Sequence, residues 1–241
     1  GRVYDVFSPR EAPGVLFVAL NDGLQQLTYQ NGVFRDRGRV DGIRHNVRTM
    51  AQDRQGNLWL ATFRNGVYRM QLSEDQKKVL KVDVYDSGSG FASLRNINVY
   101  RYTDRLLFAA EDGIYRYKPG KDLFMKDTAF MQGLGTTNRG IFVMDDDADG
   151  RVWMSSLNNR RGSVVHGIPA KNGGMQWEYT PWQRIPEMMV LDVYKDTGEV
   201  VWFGGSEGLY RYQPNPLFQK RDFTTHIRDR KSTRLNSSHY S

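Results

Sequence analysis

The sequence contains no cysteine. Disulfides, thiolate metal sites and cysteine nucleophiles are excluded together. The compartment is not fixed, because domains on either side of a membrane do without cysteine. Long apolar runs are missing too. None approaches the roughly 18 residues that a membrane-spanning helix requires, and the opening GRVYDVFSPR lacks the apolar segment of a signal peptide. With no initiator methionine, the chain is expected to be an internal fragment or a processed product. Helical periodicity is nearly absent. Histidine is scarce, and no two of His45, His166, His226 and His239 stand at metal-ligand spacing. Neither a metal nor a cofactor is expected.

What is present is a globular composition. With 39% hydrophobic and 12% aromatic residues, the 241-residue chain can bury a sizeable core. A formal charge of +7 would suggest nucleic acid if it were concentrated in one patch. It is not. The last stretch, RDRKSTRLNSSHYS (Arg228 to Ser241), carries four basic residues and one acidic one, and the other basic residues are scattered. No nucleic-acid partner is expected. This stretch has no apolar periodicity, and its RKSTRLNSSH resembles a translated sequencing-adaptor read-through. Residues 230–241 are therefore set aside as a non-native tail.

The rest of the chain repeats itself. MAQDRQGNLWLATFRNGVYRM (Met50 to Met70) is the clearest copy, and VYKDTGEVVWFGGSEGLYRY (Val193 to Tyr212) is a second. MDDDADGRVWMSSLNNRRG, YRYTDRLLFAAEDGIYRY and the degenerate PGVLFVALNDGLQQL complete the set. The anchors Phe17, Trp59, Leu107, Trp153 and Trp202 are spaced by 42, 48, 46 and 49 residues. Each period holds four strand signals, such as VRTMAQD, NLWLAT, GVYRMQL and VLKVDVYD, joined by D-x-x-G and other Gly-containing turns as antiparallel hairpins require. Four strands per period of this length is the pattern of β-propeller blades. A large flat residue at one point of the second strand would fill the wedge between blades, so the Trp anchors read as core. The chain is expected to be all-β: a partial β-propeller of about five four-stranded antiparallel blades over residues 1–218. An exit segment toward a following module is expected at 219–229.

The copies at Asp53–Met70 and Asp196–Tyr212 fit D-x-x-G-x-[LV]-W-x-[AGS]-[ST]…G-[LVI]-Y-R-[YM]. This pattern resembles the two-component regulator propeller repeat, and the resemblance extends over about residues 1–228. It implies a periplasmic or otherwise extracytoplasmic ligand-sensing domain of a bacterial signal-transduction protein, not itself an enzyme. A membrane helix and an output kinase, phosphatase or cyclase would lie outside this stretch, so any membrane contact would run through those parts. Propellers of this family usually have seven blades, which implies at least two beyond the five countable here. A homodimer of the longer protein is compatible with it.

Several motifs have a plainer reading. MDDDADGRVW places Asp145, Asp147, Asp149 and Gly150 as the opening of a calcium loop. Aligned on Gly and Trp, however, the segment superposes on Asp53–Gly56 (DRQG), which has no acidic cluster, and the twelfth loop position is Ser156 instead of Glu. It reads as a hairpin turn with Asp capping and Gly at positive φ. GGSEG (Gly204 to Gly208) matches a nucleophile elbow, but it lies between two strands and not between a strand and a helix. Asp145 and Asp192 sit on innermost strands and keep a propeller glycosidase or lyase open as an alternative. Trp177 and Trp182, in QWEYTPWQR, belong to a fourth strand and its exit.

The loops entering each first strand and those joining second to third strands share one rim, opposite the D-x-x-G turns. Arg and Asn recur in these loops: Arg44, His45, Asn46, Arg64, Arg95, Asn96, Asn138, Arg139, Asn159 and Arg160. Such side chains bind hydroxyls, carboxylates and phosphates. They are expected to form a polar, mildly cationic cup for a polar or carbohydrate-like ligand. A protein-interaction scaffold is the remaining alternative and would instead show a broad apolar rim patch.

Overall fold

The computed structural model describes residues 1–134, 141–158, 161–171, 174–179, 189–206, 208–213 and 224–227. The chain divides into two compact units, one of residues 1–141 with 170–175, the other of residues 142–169 with 176–241. The secondary structure is a succession of four-stranded antiparallel sheets, each in simple up-and-down order. Blade 1 is β1 (Val3–Phe7), β2 (Val15–Leu20), β3 (Gly23–Gln30) and β4 (Val33–Arg39). Blade 2 is β5 (Val47–Gln52), β6 (Leu58–Thr62), β7 (Val67–Leu72) and β8 (Val79–Tyr85). Blade 3 is β9 (Asn98–Tyr102), β10 (Arg105–Ala110), β11 (Gly113–Lys118) and β12 (Leu123–Lys126), followed by the single helical turn α1 (Thr128–Met131). Blade 4 is β13 (Ile141–Asp146), β14 (Val152–Asn158), β15 (Arg161–Pro169) and β16 (Met175–Glu178). Blade 5 is β17 (Val190–Lys195), β18 (Val201–Gly205), β19 (Gly208–Tyr212) and β20 (Thr224–Ile227). β20 falls in the stretch expected to leave the propeller. It pairs with β19 from Leu209↔Ile227 to Tyr212↔Thr224, giving β19 the outer partner its backbone needs, and so belongs to blade 5. The tail at 230–241 and Trp182 lie outside the described residues.

The five anchors all fall on the second strand of a blade, as the repeat predicts. Phe17, Trp59, Leu107 and Trp153 are buried, while Trp202 is only partly covered. The D-x-x-G turn explains why Asp and Trp travel together. Asp53 Oδ1 accepts the backbone N–H groups of Gln55 and Asn57, at 3.0 and 2.9 Å, which closes the turn. Its Oδ2 accepts the Trp59 indole N–H at 2.7 Å. Gly56 takes the left-handed conformation the turn demands, φ 80°. In blade 5, Asp196 Oδ2 receives the Trp202 indole N–H at 3.1 Å in the same way. One carboxylate thus shapes the hairpin and satisfies a largely buried indole donor.

The core of the first unit lies between blades. Phe17 and Leu24 of blade 1 pack with Leu58, Leu60 and Met70 of blade 2. Trp59 on the other face of blade 2 packs with Phe108, Tyr115 and Phe124 of blade 3. Burying a large side chain of this kind contributes about 1.5–3 kcal/mol, so each junction outweighs any surface contact in the unit. In the second unit Trp153, Val193, Phe203 and Tyr210 form the corresponding cluster.

A polar latch joins innermost strands in the first unit. Asp5, Thr49 and Asn98 hold the same register, opposite Ala19, Ala61 and Ala109. Asp5 Oδ2 accepts the backbone N–H of Met50 at 2.7 Å, and Thr49 Oγ1 accepts that of Val99 at 2.7 Å. Asn98 Nδ2 donates to the Ile141 carbonyl at 2.8 Å. Blades 1, 2 and 3 thus each grip the first strand of the next through one side chain. The sequence reading missed this position because its residue type differs among these three blades.

Candidate functional site

The loops before β5 and β9 and the hairpin between β6 and β7 meet at one end of blades 2 and 3. Phe63 N–H donates to the Asn46 carbonyl at 3.2 Å, and Asn96 N–H donates to the Phe63 carbonyl at 2.9 Å. The hairpin itself is fixed: Thr62 Oγ1 donates to the Gly66 carbonyl at 2.9 Å and accepts the Asn65 N–H at 2.8 Å. Gly66 has φ 72°, and a Cβ there would stand 2.0 Å from the Tyr85 carbonyl oxygen, so no side chain fits. The Asp53–Gly56 turn lies at the other end of the same strands, as up-and-down topology requires.

Six of the expected residues are thereby placed. Arg44, His45, Asn46, Arg64, Arg95 and Asn96 occupy these three loops, and Arg44, His45, Arg64 and Arg95 are exposed. Asn138, Arg139, Asn159 and Arg160 lie outside the described residues. Asn46 Nδ2 donates to the Tyr4 hydroxyl at 3.2 Å, which holds that phenol below its usual pKa. The Arg48 guanidinium donates to Asn96 Oδ1 at 3.0 Å, and Asn96 Nδ2 donates to Glu111 Oε1 at 2.8 Å. Two polar links result, Tyr4–Asn46 between blades 1 and 2 and Arg48–Asn96–Glu111 between blades 2 and 3. His45 Nδ1 meets the Tyr68 hydroxyl, whose own ionisation is pushed up by burial.

Three parts of this site were not anticipated. Arg48, on β5, is half-buried, and desolvation lowers its pKa below the ordinary guanidinium value. Phe63 keeps 37% of its surface exposed, with the Arg64 and Arg48 guanidinium carbons 5.1 and 5.6 Å from its ring centroid. Tyr4 comes from β1, a strand the degenerate first repeat concealed. The stretch TFRNG carried a signal for Phe63, since an aromatic followed by Arg and Asn in a hairpin loop has little packing to do.

The other motifs resolve as structure. Asp147 Oδ1 accepts the N–H groups of Asp149 and Arg151, at 2.9 and 3.0 Å, and its Oδ2 takes Lys195 Nζ at 2.6 Å. Among the described residues no group of three or more His, Asp or Glu is placed to hold a metal. Ser206 lies in the β18–β19 hairpin, where its Oγ accepts the Met189 N–H at 3.3 Å. Asp145 is raised to about 6, chiefly by burial, with Asp146 and Asp192 adding repulsion. Trp177 lies on β16 as expected.

The fold is a β-propeller of five four-stranded blades. Residues 42–64, which include Arg44, His45, Asn46, Phe63 and Arg64, match the family model for the two component regulator propeller, so the chain carries a repeat of that family. No curated protein sequence matches the chain. Among solved structures it is similar to the extracellular domain of BT4673 from B. thetaiotaomicron, assigned to a one component system, with 20% identity, TM-score 0.70, and 96% of this chain and 28% of that chain covered. It is also similar to PorZ, a surface component of the type-IX secretion system of Porphyromonas gingivalis, with 16% identity, TM-score 0.63, and 93% and 34% covered. A third likeness is virginiamycin B lyase from Staphylococcus aureus, with 12% identity, TM-score 0.61, and 95% and 70% covered. The chain thus spans well under half the length of the first two.

Proposed function

We propose that this chain is the ligand-sensing propeller of a bacterial signal-transduction protein of two-component type, lying outside the cytoplasm. It binds a polar or anionic ligand, such as a glycan fragment, on the rim of blades 2 and 3. The observation that carries the reading is the pair of polar links Tyr4–Asn46 and Arg48–Asn96–Glu111, set beside the exposed Phe63 with two guanidiniums against its ring. Arg supplies charge and forked donors, Asn supplies a paired donor and acceptor, and Phe63 offers an apolar surface for the C–H face of a sugar ring. The repeat match across this loop pair and the likeness to the extracellular domain of BT4673 support the assignment to sensing.

The test is a screen of neutral and acidic oligosaccharides against the intact protein, followed by titration calorimetry on the best binder. Truncating one partner of a desolvated charged contact costs on the order of 2–5 kcal/mol, so Arg64→Ala or Arg44→Ala should weaken binding at least about ten-fold. Binding unchanged in both variants removes this rim as the site. A propeller lyase or glycosidase has one observation in its favour, the Asp145 carboxyl raised to about 6 beside the like-charged Asp192. Turnover of an oligosaccharide that is lost in Asp145→Asn would establish it.

A further inference from the structure

A cavity of about 610 Å3 opens between blades 2 and 3. Its walls come from the turn that Asp53 closes, from Asp104 between β9 and β10, and from Pro119 just after β11. Alternate turns of an up-and-down blade share an end, so the cavity lies opposite the loops that carry Arg44 and Arg64. Trp59 and Phe108, buried in the core that the two blades share, also line it. Blades 2 and 3 are both complete four-stranded sheets, so the cavity belongs to a finished junction.

Six cationic side chains line the cavity against two carboxylates. Three of the six are engaged. Arg69 donates to Asp83 Oδ2 at 2.7 and 3.1 Å, Arg105 stands 3.3 Å from Asp127, and Arg54 pairs with Asp104 across the two blades. Arg101, Arg116 and Lys118 have no carboxylate partner among the described residues. Arg101 donates only Nε, to the Thr103 carbonyl at 3.3 Å, and Arg116 Nε is buried with no hydrogen-bond partner. Asp53 does not offset them, because its oxygens are taken by the N–H groups of its own turn and by the Trp59 indole. The Arg54–Asp104 pair is also weakly held. Its side chains are 63% and 60% exposed, and exposed pairs contribute little. An anion in the cavity can therefore draw Arg54 away from Asp104.

We propose that this cavity is a binding site for a phosphate monoester, separate from the rim at the other end of the blades. Three uncompensated cations around one hollow favour a doubly charged group over a carboxylate or a sulfate ester. Arg forks match the oxygens of a phosphate, and Lys adds a point charge. A phosphate alone would fill only a small part of the cavity, whose volume suits a small organic molecule. Leu106, Tyr117 and Pro119 supply an apolar wall for the rest of the ligand, a body the size of one ring or sugar.

Titration calorimetry of the 241-residue chain with phenyl phosphate, in buffer free of phosphate and sulfate, tests this. The expected result is one saturable site, with no binding of phenol and weaker binding of the singly charged phenyl sulfate. Affinity should rise between about pH 5 and pH 7.5, as the ester takes its second charge near pH 6. Arg101→Ala and Lys118→Ala should each weaken binding about ten-fold, the usual value of a hydrogen bond to a charged group. Arg101 is exposed, so its variant should melt with the parent. Lys78→Ala removes the same charge from the β7–β8 turn, outside the cavity, and should change affinity by less than about two-fold. The absence of a saturable site, an affinity unchanged in both cavity variants, or an equal loss in Lys78→Ala overturns the proposal. Failure of glycan binding at the opposite rim alters none of these outcomes.

Discussion

Blades 2 and 4 contain the same turn and the same anchor, yet they use the turn carboxylate differently. Asp53 spends Oδ2 on the Trp59 indole, and Arg69 lies over the ring, 5.5 Å from its centroid. Asp147 closes its turn with Oδ1 as Asp53 does, but its Oδ2 goes to Lys195 Nζ at 2.6 Å. The Trp153 indole nitrogen is then buried without a hydrogen-bond partner, while its ring stacks on His166 at 4.6 Å. A neutral indole donor loses its acceptor to a cation from the next blade. The cation wins because leaving a mostly buried ammonium unpaired costs several kcal/mol, against about 1–3 kcal/mol for an orphaned N–H. A repeat therefore conserves geometry more closely than it conserves the use of each polar atom.

The largest test of this contrast is the anchor itself. Trp59→Ala should destabilise by about 3–5 kcal/mol in chemical denaturation, because the buried ring packs against Tyr85, Phe108, Tyr117 and Phe124. Trp202→Ala, on the partly open blade 5, should cost about half as much. Equal losses would show that ring exposure does not set the value of an anchor.

Next come the turn carboxylates. Asp53→Ala should cost about 2–3 kcal/mol by orphaning the indole and opening the turn. Asp147→Ala should cost about 3 kcal/mol through the stranded Lys195, and adding Lys195→Met should recover most of that. Addition of Lys195→Met to Asp53→Ala should recover nothing. The Asp147 contribution also has a pH signature. Burial raises its pKa, but the hydrogen bond and charge of Lys195 outweigh burial and hold it below the usual carboxylate value. Its stabilisation is therefore present above the unfolded-state pKa and is lost as pH falls through the lowered folded value.

Asp145, two residues before that turn, should behave with the opposite sign. Its folded pKa of about 6 lies above the unfolded value. The folded state binds the extra proton, so stability from this group is full below about pH 4 and is lost as pH rises through about 6. Asp145→Asn should then stabilise the protein by about 1–2 kcal/mol at neutral pH, after allowance for its solvent-facing part, and by nothing at pH 4. Melting curves at the two pH values measure it. The smallest effect belongs to the rim. Arg44→Ala should change stability by no more than about 0.5 kcal/mol, since the side chain is exposed. A larger change would make Arg44 part of the scaffold.

The blades were legible because hairpin grammar is local. D-x-x-G, a Trp six residues after the Asp and a Gly-led third strand each act over a few residues, and the copies that have them set the period from which the anchors Phe17 and Leu107 follow. The first strand of blade 1 was less legible, because VYDVF has no D-x-x-G turn after it, and Tyr4 and Asp5 were missed with it. That the loops carrying Arg44, His45, Asn46, Arg64, Arg95 and Asn96 meet at one end was legible from loop position. Arg48 was missed because an arginine inside a strand usually reads as a solvent-facing residue.

The sequence by itself determined where the chain turns, which face of each strand is apolar and which loops share an end. All of these follow from alternation and turn chemistry within one blade. The tertiary structure alone decided which blade-to-blade contacts those faces make. Whether Asp147 serves an indole or a lysine and whether Thr49 becomes a latch both depend on groups some fifty residues away. Burial and hydrogen bonding there are set by what packs against a residue, and no local pattern encodes the identity of that neighbour.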